Sequence, residues 1–226
     1  MKECPAVIAA LPREVKSLVR GWKLRRLPGN VLVYTSDASV VACAGMGAGR
    51  AALAVQAAMA AAPVTALVSV GLAGACDPKL HVGDVVRAGV VVDAQTGERF
   101  GSAEAGPVLV SSAAIAGVRE KQRLFASYGA SVVDMEAASV ARLARAHGLA
   151  FQAIKAISDE ADFEMEELGQ FATADGQFRV AAFAVYAALR PRMWSRLMQL
   201  GRDSGLAART LTAAVQAQLD WYKEQR

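Results

Sequence analysis

The chain is short of the side chains that build metal centres, disulfide frameworks and stacking surfaces. It has two histidines and three cysteines, Cys4, Cys43 and Cys76, in 226 residues. Three cysteines cannot complete a disulfide set, and no C-x-x-C spacing offers zinc binding or thiol exchange, so a reduced, cytoplasmic protein is expected. His81 and His147 have no acidic or cysteine ligand at metal spacing, so no metal is expected either. Aromatic residues make up only 6%, too few to interleave with basic ones for base stacking, and nucleic acid is not an expected partner. There is no Walker lysine and no G-x-S-x-G elbow. The apolar run at 5–11 is followed at once by Arg13, Glu14 and Lys16, unlike a signal peptide. The longest apolar stretch, 51–76, is broken by Gln56, Pro63 and glycines, and reads as a helix followed by a buried strand.

What the chain does have is small aliphatic residues. Hydrophobic side chains reach 54% and charged ones 20%, with mean hydropathy +0.27, which excludes a disordered chain and implies a large alanine and valine core. A length of 226 residues suits one α/β domain, 1–226. The net charge of +4 is local: residues 190–209 carry five arginines and one aspartate, and the rest of the chain balances.

Short β-branched runs alternate with alanine-rich helical patterns. Strands are expected over 6–10, 31–34, 39–44, 66–70, 84–93, 107–110, 131–133 and 151–156. Helices are expected over 12–22, 49–62, 113–127, 136–147 and from about 178. Several strands are apolar on both faces, as when helices cover each side. The expected fold class is α/β: a mixed, mostly parallel central sheet flanked by helices, with a helical C-terminal extension (about 178–226) packed on it.

In open α/β sheets ligands sit beyond the carboxyl ends of strands, so the strand–helix junctions are where chemistry is sought. Gly45-Met46-Gly47-Ala48-Gly49-Arg50 carries arginine where a dinucleotide loop needs a third glycine. It reads either as an anion-binding nest or as a turn for tight packing. The 71–75 glycine turn permits close backbone approach to a ligand. Ile157-Ser158-Asp159 follows a buried strand; there Asp159 acts as a general acid if desolvation raises its pKa, with Ser158 orienting it, or the pair simply begins a turn. Glu14 and Glu136 are first-turn carboxylates by position.

Taken together, five strings resemble the nucleoside phosphorylase and nucleosidase superfamily. They are Ile8-Ala9-Ala10-Leu11-Pro12-Arg13-Glu14-Val15, Gly45-Met46-Gly47, VSVGLAGACDPKLHVGDVV at 68–86, VVDMEAASVARLA at 132–144, and AIKAISDEAD at 153–162. The resemblance implies cleavage of a purine nucleoside's N-glycosidic bond, the ribosyl group passing to phosphate or water. It implies Asp159 as the acid at purine N7, Ser158 positioning it, and Glu136 accepting hydrogen bonds from the ribose hydroxyls above Met135. Glu14 matches the carboxylate that activates water in methylthioadenosine/S-adenosylhomocysteine nucleosidases. Leu72, Ala73, Gly74 and Lys155 would also line the substrate. Arg13, Gly47 and Arg50 would hold phosphate if phosphate is the acceptor. No cofactor is implied, and a homo-oligomer is.

Leu72 stands where those nucleosidases carry serine, Lys155 where they carry arginine, and 111–114 lacks the aspartate–phenylalanine pair that encloses their purine. The shortened middle, Gly71-Leu72-Ala73-Gly74 and the stretch 175–211 are more similar to the hopanoid-associated phosphorylases, which implies adenosylhopane as substrate. Within that stretch Met193, Trp194, Leu197, Met198 and Leu200 recur at helical spacing beside Arg192, Arg196 and Arg202. That pattern fits either peripheral contact with the inner membrane face or a helix packed on the sheet with solvated arginines. The alternative substrate within the family is that of the methylthioadenosine/S-adenosylhomocysteine nucleosidases, which Glu14 supports; a nucleoside- or lipid-binding protein that keeps the fold without catalysis is the reading from another class. Glu14, Glu136 and Asp159 together argue against it.

Overall fold

Alanine and valine supply most of the buried side chains, and their small size lets helices approach the sheet closely on both faces. The structure, a computed structural model, describes residues 4–101, 106–164, 171 and 194–225, without the side chains of 194–197. The elements are β1 (Cys4–Ala9), α1 (Pro12–Val15), β2 (Lys23–Leu27), β3 (Val31–Thr35), β4 (Val40–Cys43), α2 (Ala48–Ala61) and β5 (Val64–Ala75). They continue as β6 (Val85–Arg87), β7 (Val90–Asp93), β8 (Arg99–Gly101), β9 (Val108–Ser111), α3 (Val118–Tyr128), β10 (Ala130–Asp134), α4 (Ala137–Ala146), β11 (Ala150–Asp159) and a long α5 (Trp194–Glu224).

The sheet runs β2-β3-β4-β1-β5-β10-β9-β7-β8, with β11 paired to both β5 and β6. Its centre is parallel: β1 pairs β4 and β5, and β11 runs beside β5. The flanking hairpins are antiparallel. On one face α2 and α4 bury Ala51, Ala54, Val55, Ala58, Val140 and Ala144 against the sheet. On the other, α5 buries Ala207, Leu211, Val215 and Leu219 at a spacing of four, one helical stripe facing Ile154, Val68 and Val15. The expected α/β class, with its central sheet and C-terminal helix, is what the chain forms.

Several boundaries differ from the sequence reading, each for a local reason. The strand expected at 66–70 continues to Ala75, because Lys155 to Ile157 of β11 pair with Gly71 to Ala73 and β10 takes Gly74 and Ala75 on the other side. The 71–75 segment is therefore strand, not turn. The helix expected at 12–22 ends at Val15; turns bury Leu18 and Val19 instead, and Gly21, at φ +80°, turns the chain toward β2. The strand expected at 84–93 splits, β6 pairing β11 and β7 pairing β9. Of the charged 190–209 segment, Arg190 and Arg192 lie outside the described residues, as does 178–193 of the expected extension. Arg202 and Arg209 are exposed on α5.

Candidate functional site

Five strand ends and the first half of α5 enclose a cavity of about 820 Å³. Glu14 and Arg13 reach it from α1, Met46 from the turn after β4, and Leu72, Ala73 and Gly74 from β5. Met135 and Glu136 enter from the β10–α4 junction, and Ser158 and Asp159 from the end of β11. These are the residues singled out in the sequence, and the fold brings them to one place. The cavity also takes Ala114, Ile115 and Ala116 from the segment after β9, and Lys121 from α3.

Glu14 is buried in the first turn of α1. One carboxylate oxygen accepts the Leu11 N–H at 2.9 Å, and the other lies 3.4 Å from the Leu72 N–H. Burial pushes its carboxyl above the ordinary range, against the pull of those amides and of Lys155. A basic carboxylate held by its own helix end suits proton abstraction from water.

Glu136 stands at the N-cap position of α4, but its side chain reaches to the glycine turn and not to the helix end, accepting the Gly47 N–H at 2.6 Å. Burial first, then the neighbouring Asp134, push its carboxyl up to about 7 from an ordinary 4.5. Between those values the folded chain holds a proton that the unfolded chain has released. Stability attributable to this group is therefore complete below about pH 4.5 and declines as pH rises to about 7. Glu136→Gln is expected to melt a few degrees above the parent at pH 8 and close to it at pH 4.5, by thermal unfolding. An equal or lower melting temperature at pH 8 would contradict that cause.

A second polar layer lies behind the cavity wall and meets the cavity at Asp134. Lys155, 1% exposed, donates to Asp134 at 2.8 Å and to Ser69 Oγ at 3.2 Å. Asp134 also accepts the Ser111 hydroxyl at 2.6 Å and the Ala137 N–H at 3.0 Å. The Ser111 oxygen in turn accepts the Ala138 N–H at 2.9 Å. This layer fixes the entry of α4 and so the position of Glu136.

At the far wall Ser158 Oγ donates to Asp159 Oδ1 at 2.7 Å, as the sequence suggested. The other oxygen takes the Lys121 ammonium at 2.5 Å, a partner the sequence reading missed. Gly74 lets the strand pass this pair: a Cβ there would lie 2.9 Å from Asp159 Oδ2 and 3.0 Å from Lys121 Cε.

Two expectations need correction. Lys155 is not among the residues that line the cavity; its ammonium is held on Asp134, which does line it. The expected phosphate-holding set of Arg13, Gly47 and Arg50 is not assembled. Arg50 donates to the carbonyls of Ala44 and, at 2.5 Å, of Gly29, and the Gly47 amide is taken by Glu136. Of the three, only Arg13 lines the cavity.

The sequence matches the Phosphorylase superfamily over residues 6–105 and 98–189. The chain belongs to that family. It is an enzyme of the nucleoside phosphorylase and nucleosidase class. No curated protein matches the sequence. Among solved structures, the Helicobacter pylori 5′-methylthioadenosine/S-adenosylhomocysteine nucleosidase is similar at TM-score 0.72 and 17% identity, over 96% of this chain and 98% of that one. Futalosine hydrolase of Helicobacter pylori is similar at TM-score 0.72 and 17% identity, over 96% of this chain and 97% of that one. A Francisella philomiragia protein described as a nucleosidase of the first kind gives TM-score 0.73 and 17% identity, over 97% and 99%. At these identities the likeness speaks for the fold. Among the described residues no helix is long and apolar enough to cross a membrane.

Proposed function

We propose that this phosphorylase-superfamily enzyme hydrolyses the N-glycosidic bond of an adenine nucleoside that carries a bulky apolar group on its 5′ side. The observation that carries the reading is the meeting of Glu14, Glu136 and Asp159 in one cavity. As the C1′–N9 bond breaks, its electron pair leaves with the base, whose N7 takes the proton of Asp159. The sugar gains positive charge, which the surrounding carboxylates favour, and Glu136 accepts the ribose hydroxyls. Water attacks C1′ and gives its proton to Glu14.

Water is favoured over phosphate by the distribution of charge. Among the described residues the cations lining the cavity are Arg13 and Lys121, and Lys121 spends its donors on Asp159 and two carbonyls. A phosphate dianion would meet buried carboxylates with one exposed arginine to hold it. The apolar 5′ group is supported by Leu72 and by α5, where Leu200 and the small residues Gly201, Ser204, Gly205 and Ala208 form one wall. Adenosylhopane is the substrate that this wall and the hopanoid-associated resemblance together favour. Exposed Met198 and Arg202, beside the cavity end of α5, suit an anionic bilayer as the source of such a lipid.

The test is adenine release from adenosine, methylthioadenosine and adenosylhopane, with and without phosphate, accompanied by sedimentation with anionic vesicles. Release that needs no phosphate and is fastest for adenosylhopane is the expected result. A ribose 1-phosphate product overturns water as acceptor, fastest turnover of methylthioadenosine overturns the lipid substrate, and binding without adenine release overturns the enzyme reading. Absence from the vesicle pellet removes the bilayer.

A further inference from the structure

Lys121 is a lysine in the wrong place for a surface helix. It lies in VREKQRLF of α3, but its side chain is 1% exposed and points across the cavity wall to Asp159, 38 residues away in sequence. All three ammonium protons are used: on Asp159 Oδ2 at 2.5 Å, on the Glu160 carbonyl at 2.7 Å and on the Phe163 carbonyl at 3.1 Å. A buried ion pair brings the fold little that an apolar pair of similar volume would not. A buried pair that lines the cavity at the base-departure end therefore points to chemistry.

Resting on the hydrolytic reading above, we infer that Lys121 is the positioning residue of the leaving-group acid. Its ammonium fixes the carboxyl of Asp159 and neutralises the carboxylate that remains once the proton has passed to N7. The step balances without a further reactant. The C1′–N9 electron pair goes to the base and the Asp159 proton to N7, while Lys121 keeps its three protons. Solvent reprotonates Asp159 with the equivalent of the proton that Glu14 took from water. The arrangement seen, with Ser158 and Lys121 each donating to a different oxygen of Asp159, is the one a carboxylate takes after proton transfer. Ser158 and Gly74 close the other sides of the carboxyl, so the ammonium is the charge that meets it directly.

The test compares two leaving groups. Adenine needs a proton to depart, whereas p-nitrophenolate leaves a riboside as a stable anion. Lys121→Met is expected to lower kcat for an adenine nucleoside by at least about tenfold, as loss of acid assistance does, with less than about a twofold change for p-nitrophenyl riboside. Lys121→Arg, which keeps the charge, should recover part of the loss. Equal losses on both substrates, or no loss on either, overturn the inference. Lys121→Gln, whose amide still donates to the carbonyls, carries the comparison if the methionine variant does not fold, and failure of both to fold assigns the lysine to stability alone. A parent enzyme inactive on both substrates refutes the hydrolytic reading itself, which parallel losses in an active enzyme would not.

Discussion

Asp159→Asn is expected to lower adenine release by about 100- to 10,000-fold, the usual contribution of a positioned proton donor. The loss should fall on kcat, because an amide of the same shape still fills the end of β11 and leaves the cavity walls in place. p-Nitrophenyl riboside, which needs no proton to leave, should be cleaved at close to the parent rate. The substitution also acts on stability. The asparagine oxygen can accept from Ser158 or from Lys121 but cannot neutralise the ammonium, which is left among two carbonyls and apolar walls. Removing one partner of a buried pair costs on the order of 3 kcal/mol, so thermal unfolding should report a lower melting temperature. Measuring both quantities separates them: a fold loss without the substrate-dependent rate loss would remove Asp159 from the acid role. Unchanged adenine release would do the same directly.

The members of this site that the sequence displayed are those whose chemistry is local. Glu14, Glu136, Ser158 and Asp159 stand at strand ends or first helical turns, where side chains face the cavity whatever the long-range packing. Lys121 was hidden because a lysine in a helix with two arginines nearby reads as solvated, and its partner is brought in only by the tertiary fold. Arg50 misled in the opposite sense. Beside a glycine turn it looks like an anion ligand, whereas its guanidinium closes the carbonyls of Ala44 and Gly29. Glycine had the same effect on β5, since Gly71 and Gly74 read as punctuation although β11 and β10 supply ladder partners through Ala75. The charged strand β2, exposed along nearly its whole length at the sheet edge, has no alternation to reveal it. The fold class survived these local errors because it rests on the alternation of apolar runs, which single residues do not alter.

Lys155→Met is expected to be the most destabilising single change in the site. The lysine is 1% exposed and lies within the field of three carboxylates, with Asp134 in direct contact and Glu136 and Glu14 further off. Those charges hold its ammonium above the ordinary lysine range in spite of burial, so its contribution is present throughout the neutral range and is lost only in strong alkali. Methionine fills most of the volume but removes the ammonium that pairs with Asp134. The cost is about 3–5 kcal/mol, a large share of the roughly 5–15 kcal/mol that folded proteins have. For a chain of this length that amounts to a fall of about 10 °C in melting temperature. The pH dependence identifies the cause. In the variant Asp134, Glu136 and Glu14 repel one another without the Lys155 ammonium among them, and protonation relieves the repulsion, first at Glu136, whose carboxyl is pushed up to about 7 in the parent. The deficit against the parent should therefore be greatest at pH 8 and smaller at pH 5. A deficit equal at both would show that lost packing, and not lost charge, is responsible. Catalysis should fail by the same route: without Lys155, Glu136 would hold its proton further into the neutral range, and a protonated carboxyl accepts the ribose hydroxyls poorly.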